Sequence, residues 1–445
     1  SIALTMANTD GAIFDLNNTN QTVGSLSGAG TTGGNIILGS GTLTVNQAAS
    51  LTYAGIISGT GGLVKNGTGT LSLSRENTYS GPTTINLGIL RPTIANAIAN
   101  TSALIMADVA TAAFNATNLA QAVGTLSGGG ANGGNIGLGS GLLTVTQSTD
   151  QTYDGVISGT GGLTKAGSAV LTLSRANTYS GATTINAGIL RTGISNAIAS
   201  TLQMNLANVA GVSFDLNNLA QTVGRLSGGG TTGGNITLGS ATLTVNQATS
   251  TTTYSGIISG TGGLTKTGAA ALSLGGLNTY TGPTTISAGT LQAIVDNVIQ
   301  NSSELIMANV ATAIFNQNGT SQIIGSLSGG GATGGNISLG AGTLTITQNT
   351  AGTYDGVISG PGNIIKLGTD TLTLTRTNTF TGNTAINAGV LSVSADLQLG
   401  AAPGAATAGK LTFNGGTLRT TASFTLNANR GITLNSSGGT ILVDP

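Results

Sequence analysis

The chain has 445 residues and a formal net charge of zero, with charged residues at only 6% of the sequence and 74 glycines. It contains no Cys, His or Trp, which excludes disulfide bonds, metal sites built on thiolate or imidazole, and Ser-His or Cys-His catalytic triads. Abundant, regularly placed Leu, Ile and Val disfavour disorder, and no apolar run is long enough to span a bilayer.

One unit of about a hundred residues recurs four times along the chain. Aligned columns hold one residue type in every copy, as in Phe14, Phe114, Phe214 and Phe315. Self-similarity of this kind predicts stacked units that bury their apolar faces against one another in one continuous solenoid. The predicted repeats are residues 1–100, 101–200, 201–301 and 302–400, followed by a divergent partial unit at residues 401–445.

Short stretches within each repeat alternate apolar and polar residues. In the second repeat Leu143 and Val145, and then Leu171 and Leu173, are each separated by one polar residue. This period of two predicts strands whose aliphatic side chains point inward. Corners rich in glycine, such as residues 158–162, separate the strands and allow positive φ angles.

Short strands, glycine corners and the lack of a helical period predict an all-β fold, a parallel β-helix. A three-sided coil of roughly 20 to 30 residues would place about four coils in each repeat. With strands about 4.8 Å apart, the array would rise ~19 Å per repeat and ~85 Å in all.

Two segments depart from the simple alternation. Val123 and Leu126 have opposite parity, which predicts a bulge or a corner between them. A loop rich in Gly, Ala and Pro at residues 399–409 precedes new strand-like sequence. We therefore predict a change of coil type near residue 400.

The sequence of each repeat resembles the autotransporter-associated β-strand repeat. In the second repeat the resemblance is carried by residues 161–165, 171–174 and 177–190, which read GGLTK, LTLS and NTYSGATTINAGIL. That family occurs in passenger domains of bacterial type V secreted surface proteins. The resemblance implies a right-handed parallel β-helix, exported through the outer membrane and displayed as an adhesin or surface fibre. The family's membrane barrel is missing from this segment, and Gly275 replaces the arginine of the other repeats.

A glycine pattern matches the dinucleotide-binding fingerprint. Gly28, Gly30 and Gly33 have the required spacing, and the pattern recurs from Gly128, Gly228 and Gly329. A true site needs these glycines to open a helix that binds the pyrophosphate. Strand-like sequence follows instead, which predicts a turn.

The acidic residues do not form an evident catalytic or calcium site. A β-helical polysaccharide-cleaving enzyme would gather carboxylates on one face, but the 13 acids are scattered. Asp150 and Asp154 are the closest pair in the second repeat. We predict that such acids are isolated, solvated turn residues.

Two further columns of side chains could bind ligands. Lys65, Arg75 and their counterparts could form a basic stripe, but equivalent lysines ~19 Å apart exceed the ~8 Å screening length. We therefore predict wet side chains that cover apolar edges. Tyr53 and its counterparts could stack on sugars; we favour packing over a glycine-flanked coil, with each hydroxyl reaching water.

The residue patterns predict a non-catalytic rod, and the family resemblance implies that it is extracellular on a bacterial cell surface, either attached to the outer membrane or released. No residue is predicted to be catalytic, cofactor-binding or metal-binding, and no cofactor is expected. The predicted partners are further copies of the chain, joined end to end or laterally, or the surface of a host or neighbouring cell, and not nucleic acid. Membrane contact would come only through an anchor outside this segment.

Three alternatives remain beside the adhesive rod. The chain begins and ends within repeat-like sequence, which favours a piece of a longer protein. In the first alternative, this piece is the stalk of an autotransporter that carries an enzyme or toxin domain outside it. Filament formation would follow from unpaired strand edges. Ice binding through outward threonines is disfavoured by irregular Ser, Asn and Gly substitutions.

Overall fold

The computed structural model describes residues 2–200, 203–300 and 302–445. The chain divides into two compact units, Ser1–Asn217 and Asn218–Pro445. Each unit is built from short parallel strands that wind in coils, so the all-β, parallel β-helix predicted from the repeats is confirmed. No helix in the described ranges is both long and apolar enough to cross a membrane.

The first unit contains strands of two to four residues. They are β1 (Ala3–Met6), β2 (Ile13–Asp15), β3 (Gln21–Val23), β4 (Ser25–Gly28), β5 (Asn35–Ile37), β6 (Leu43–Asn46), β7 (Leu51–Tyr53), β8 (Ile57–Ser58), β9 (Leu63–Asn66), β10 (Thr70–Leu73), β11 (Thr83–Ile85), β12 (Ile89–Pro92), β13 (Leu104–Met106), β14 (Ala113–Asn115), β15 (Gln121–Val123), β16 (Leu126–Gly128), β17 (Asn135–Gly137), β18 (Leu143–Thr146), β19 (Gln151–Tyr153), β20 (Ile157–Ser158), β21 (Leu163–Ala166), β22 (Val170–Leu173), β23 (Thr183–Ile185), β24 (Ile189–Thr192), β25 (Gln203–Leu206) and β26 (Ser213–Asp215).

The second unit repeats this pattern and ends in longer strands. They are β27 (Gln221–Val223), β28 (Arg225–Gly228), β29 (Asn235–Thr237), β30 (Leu243–Asn246), β31 (Thr252–Tyr254), β32 (Ile258–Ser259), β33 (Leu264–Thr267), β34 (Leu272–Leu274), β35 (Thr284–Ile286), β36 (Thr290–Ala293), β37 (Leu305–Met307), β38 (Ile314–Asn316), β39 (Gln322–Ile324), β40 (Leu327–Gly329), β41 (Asn336–Ser338), β42 (Thr343–Thr347), β43 (Gly352–Tyr354), β44 (Ile358–Ser359), β45 (Asn363–Leu367), β46 (Thr371–Leu374), β47 (Thr384–Ile386), β48 (Val390–Val393), β49 (Thr407–Phe413), β50 (Thr417–Thr420), β51 (Arg430–Leu434) and β52 (Thr440–Val443).

Strands one coil apart pair in parallel. In the first unit Thr83 pairs with Leu63 on one side and with Leu104 on the other, so one coil takes 20 or 21 residues there. One ladder runs through β1, β4, β7, β10, β12, β14, β17 and β20, and a second runs through β3, β6, β9, β11, β13, β16, β19, β22, β24 and β26. Strands β2, β5 and β8 lie on the third side.

Equivalent strands of the first two repeats lie on different sides of the coil. β13 is the sequence counterpart of β1, yet it joins the ladder of β3. Likewise β14 corresponds to β2 but joins the ladder of β1. One repeat therefore spans four full coils and about two thirds of a fifth, slightly more than the four predicted. The same outward residue points in a different direction in the next repeat of this unit.

The inward aliphatic residues form the core. Leu43, Val45, Leu71 and Leu73 are at most 1% exposed, as the alternation predicted, and fully burying such a side chain contributes about 1.5–3 kcal/mol. The opposite parity of Val123 and Leu126 has a simple cause: β15 ends at the first, β16 begins at the second, and a corner separates them. Both side chains are fully buried.

Buried amides join the coils on the third side, where strand pairing is interrupted. In the first unit Asn77 accepts a hydrogen bond from the Ile57 amide (2.7 Å) and donates one to the Ala97 carbonyl (2.7 Å). The Ala97 amide in turn donates to Gln121 Oε1 (3.2 Å), at the start of β15. Side chains thus supply the bonds that a strand would make. Asn278 and Gln322 repeat this seam in the second unit.

The predicted change of coil type near residue 400 is confirmed. A short 3-10 turn at Asp396–Leu399 follows the last regular coil. The register of β49 and β51 then shifts between Thr407 and Leu411, and all four residues of β52 are exposed.

Candidate functional site

The glycine pattern forms a turn between coils. Gly28 has a φ of 83°, and strand β5 follows the pattern, not a helix. A Cβ on Gly30 would lie 2.3 Å from Cγ of Asn8 in the preceding coil. The Asn8 side chain accepts a hydrogen bond from the Thr32 amide (3.0 Å). The glycines therefore leave room for coil-to-coil contacts, and Asp108 and Asn309 take the place of Asn8 in later repeats.

The repeated lysines are buried, and our prediction of wet side chains was wrong. Lys65 is 0% exposed, and its Nζ donates to the carbonyls of Asn66 (2.8 Å), Gly67 (2.7 Å) and Leu87 (3.1 Å). The same three-carbonyl cage holds Lys165, Lys266 and Lys366. Burial lowers the pKa of Lys65 to about 8. The lysine column therefore forms no basic stripe, because the Nζ atom of each of the four lysines is enclosed by backbone carbonyls.

The repeated tyrosines are also fully enclosed. The ring of Tyr53 packs beside Gly55, where a Cβ would lie 2.4 Å from the phenol oxygen. This confirms packing against a glycine-flanked coil. The hydroxyl does not reach water as predicted, however, because it donates to the Gly34 carbonyl (2.7 Å). Burial raises the pKa of Tyr53 above its ordinary value.

A second tyrosine column closes a buried hydroxyl chain that sequence reasoning missed. The Tyr79 hydroxyl lies 2.6 Å from Thr83 Oγ1, which lies 3.0 Å from Ser102 Oγ. Ser102 donates to the Gly81 carbonyl (2.7 Å). Tyr280, Thr284 and Ser302 form the same chain in the second unit. The recurring Asn-Thr-Tyr run, with Thr four residues after the Tyr, was the available signal.

The closest acids of the second repeat each accept a hydrogen bond from the next coil. Asp150 Oδ1 accepts from the Val170 amide (2.9 Å), and Asp154 accepts from the Ser174 hydroxyl. The prediction of solvated acids holds for the exposed Asp150, whereas Asp154 is half-buried. Within the described ranges, no three acidic side chains gather where they could hold a metal ion.

The outward residues of the strands form uncharged ladders. On the second ladder of the first unit, Thr44 of β6, Val64 of β9 and Thr84 of β11 occupy successive outward positions. Beside them Asn86 donates to the side chain of Asn66 (3.0 Å). Such a surface responds little to salt, because few of its side chains carry charge.

A groove interrupts the third side of the first repeat. It has a volume of about 420 Å³ and is lined by residues within 76–78 and 96–101 and by Ala122. Glu76, Thr78, Asn100 and Thr101 are exposed along its rim. We call this feature the first-repeat groove.

The recurring segments match a known repeat family. The sequence profile of the passenger-associated-transport-repeat matches residues 63–91, 163–191, 264–293 and 364–393. Each matched segment begins at the strand of a caged lysine and includes the buried Asn of the third-side seam. The matched residues are therefore those that join one coil to the next.

The chain is also similar to a curated adhesin. The adhesin BmaC autotransporter of Brucella suis biovar 1 (strain 1330) is 36% identical over 433 residues, which covers 91% of this chain and 12% of that protein. The chain thus spans about an eighth of the length of this relative. No solved structure matches the chain.

Proposed function

The chain is an array of autotransporter passenger repeats, and we propose that it acts as an extracellular, adhesive segment of a bacterial surface protein. The observation that carries this proposal is the similarity to an adhesin autotransporter along 91% of the chain. Further support comes from the coils, whose buried side chains join neighbouring coils while uncharged residues face outward. A firm scaffold that presents polar side chains suits adhesion.

We propose further that the segment is not catalytic. The lysines and tyrosines that recur in every repeat are enclosed by backbone, where no substrate reaches them. The acids Asp150 and Asp154 are engaged with neighbouring coils. General acid-base catalysis requires positioned groups that contact the substrate, and these groups serve coil stacking instead.

Adhesion is tested with fluorescent beads coated with residues 1–445 and incubated with cultured epithelial cells. We expect several-fold more beads to be retained than with an inert globular protein. The same chain, unfolded by heat before coating, should lose this retention because adhesion depends on the ordered surface. Equal retention of all three bead types would contradict the proposal.

Two finer proposals concern assembly and the remainder of the protein. Self-association is supported by the zero net charge, which removes long-range repulsion between copies. Sedimentation velocity over a hundredfold range of concentration would show larger species, and a single species throughout would refute self-association.

The second proposal concerns the remainder of the protein. If beads coated with the complete gene product adhere and beads coated with this segment do not, the stalk alternative replaces the adhesive one.

A further inference from the structure

We propose that the first-repeat groove binds a neutral or amino saccharide, an inference that rests on the adhesive function proposed above and names its ligand class. The groove measures about 420 Å³, within the roughly 300–1,000 Å³ of small-molecule sites. Its lining combines exposed hydrogen-bonding side chains with the apolar residues Ile98, Ala99 and Ala122. A sugar ring has a matching combination of polar and apolar groups, with hydroxyls at its edge and C–H groups on its face.

The rim side chains are available to a ligand. Within residues 2–200, Glu76, Thr78, Asn100 and Thr101 make no side-chain hydrogen bond or ion pair. The neighbouring Asn77 differs, because its amide bonds the Ile57 amide and the Arg75 and Ala97 carbonyls. Polar side chains without a protein partner thus line one groove, whereas the side chain of Asn77 is hydrogen-bonded within the fold.

The chemistry of these free groups favours a saccharide over an anion. Glu76 offers a charged acceptor, Thr78 and Thr101 can donate or accept, and Asn100 does both. Sugar hydroxyls need both donors and acceptors, and a carboxylate can accept from two adjacent hydroxyls. No cationic side chain lines the groove, so phosphate and carboxylated sugars lack a counterion there.

The walls of the groove are held in place before any ligand arrives. Asn96 has a φ of 51°, and its Oδ1 accepts a hydrogen bond from the Ala122 amide (3.1 Å). This bond ties the loop to the next coil, as Asn77 ties the opposite wall to the coils on either side. A preorganised site loses less entropy on binding.

The chain itself supplies mild variants of the groove. Ala176, Leu277 and Thr377 occupy the position of Glu76 in the later repeats, and Ser200 occupies that of Asn100 in the second. The substitutions Glu76→Ala and Asn100→Ser therefore introduce residues that the same repeat frame already accommodates. Folding should be retained, so that loss of binding reports on the groove.

The test is saturation-transfer difference NMR on residues 1–445 with defined probes. These are the methyl glycosides of glucose, galactose, mannose, glucosamine and N-acetylglucosamine, and separately a hexalysine peptide. We expect transfer to at least one sugar, with Glu76→Ala and Asn100→Ser each weakening its binding about tenfold. Asp10→Asn, which removes an exposed acid elsewhere in the same unit, should leave binding unchanged.

Several outcomes overturn the saccharide assignment. Transfer to no sugar refutes it, and so does sugar binding that is unaffected by both groove substitutions. Binding of hexalysine that depends on Glu76, without sugar binding, would identify a site for basic peptides instead. The bead assay separates the two proposals: wild-type and Glu76→Ala beads that adhere equally refute the groove as the adhesive site and leave the adhesive function standing.

Discussion

The repeats and the C-terminal segment, defined here as residues 396–445, each bury a cationic side chain, but the side chain has different partners in the two regions. In the repeats Lys65 donates to three backbone carbonyls and has no carboxylate partner. In the C-terminal segment the Arg430 side chain is 0% exposed and pairs with Asp396 at 2.9 Å. It also donates to the carbonyls of Leu399 and Gly400. The repeat can reproduce its cage in every copy, since the cage needs only backbone and one lysine.

The difference predicts unequal sensitivity to mutation. A carbonyl cage loses only hydrogen bonds when its lysine is replaced by an apolar residue of similar size. A buried ion pair that loses one partner leaves an uncompensated charge, which is far more destabilising. The C-terminal segment should therefore be the more fragile of the two.

The largest effect is expected for Arg430→Ala. Asp396 would remain without its partner in a site where its side chain is 13% exposed, and the expected loss is about 3–5 kcal/mol. Urea unfolding should show the loss, and hydrogen-deuterium exchange should place it at residues 396–445. The matched control is Arg419→Ala, since the Arg419 and Asp444 side chains are 44% and 28% exposed and solvent-exposed pairs contribute little to stability. Equal losses for both variants would contradict the comparison.

A smaller loss is expected for Lys65→Met. The three carbonyls of the cage would lose their donor, whereas the desolvation of the ammonium group would be relieved. We expect a net loss of about 1–3 kcal/mol in the free energy of unfolding measured by urea. Arg75→Met serves as control, because the third repeat has Gly275 at this position; its effect should be under about 0.5 kcal/mol. A Lys65→Met variant as stable as the wild type would show that the cage is dispensable.

The sequence predicted the coil but not the chemistry inside it. The alternation around Leu43 and Leu71 identified inward positions because apolar and polar residues differ in their affinity for water. That rule assigns long charged side chains to the surface, so it misplaced Lys65. The buried lysines are stabilised by backbone carbonyls from two neighbouring coils. The sequence of a single repeat does not show which carbonyls the stacking of coils brings together.

The groove was likewise outside the reach of the sequence pattern. Glu76 and Asn100 are 24 residues apart and lie in adjacent coils. Their proximity depends on the coil length and on the loop held by Asn96, neither of which the repeat alignment fixes to within one residue. The variation of Glu76 among repeats is visible in the sequence, but its place beside a groove is visible only in the structure.

Alkaline pH should stabilise the repeats before it destabilises them. Burial lowers the pKa of the four caged lysines from 10.5 to about 8, so between these values the unfolded chain binds more protons and stability rises with pH. The expected gain is on the order of 1 kcal/mol per lysine at pH about 9. Above about pH 10 it reverses, because burial raises the pKa of the enclosed tyrosines and the unfolded chain loses those protons first.

Thermal melting across pH measures this profile. The melting temperature should stay nearly constant from pH 5 to 7, because the lysines are protonated in both states there and no histidine is present. It should then rise to a maximum near pH 10. Lys65→Met should reduce the rise by about a quarter, since one of four lysines is lost. A melting temperature that falls from pH 8 to 10 would contradict the carbonyl cages as the sites of lowered lysine pKa.

The smallest expected effect has the opposite sign and concerns a buried amide without partners. Gln317 is 0% exposed, and neither its Nε2 nor its Oε1 has a hydrogen-bond partner, whereas Leu16 and Leu216 fill its place in other repeats. Gln317→Leu should therefore raise the free energy of unfolding by about 1 kcal/mol. Gln322→Leu is the matched control, because Gln322 accepts from the Val298 amide (2.9 Å) and donates to the Val295 carbonyl (2.9 Å), and its loss should destabilise. If both substitutions stabilise the protein, burial alone governs these positions, and the buried amides of the seam do not hold neighbouring coils together.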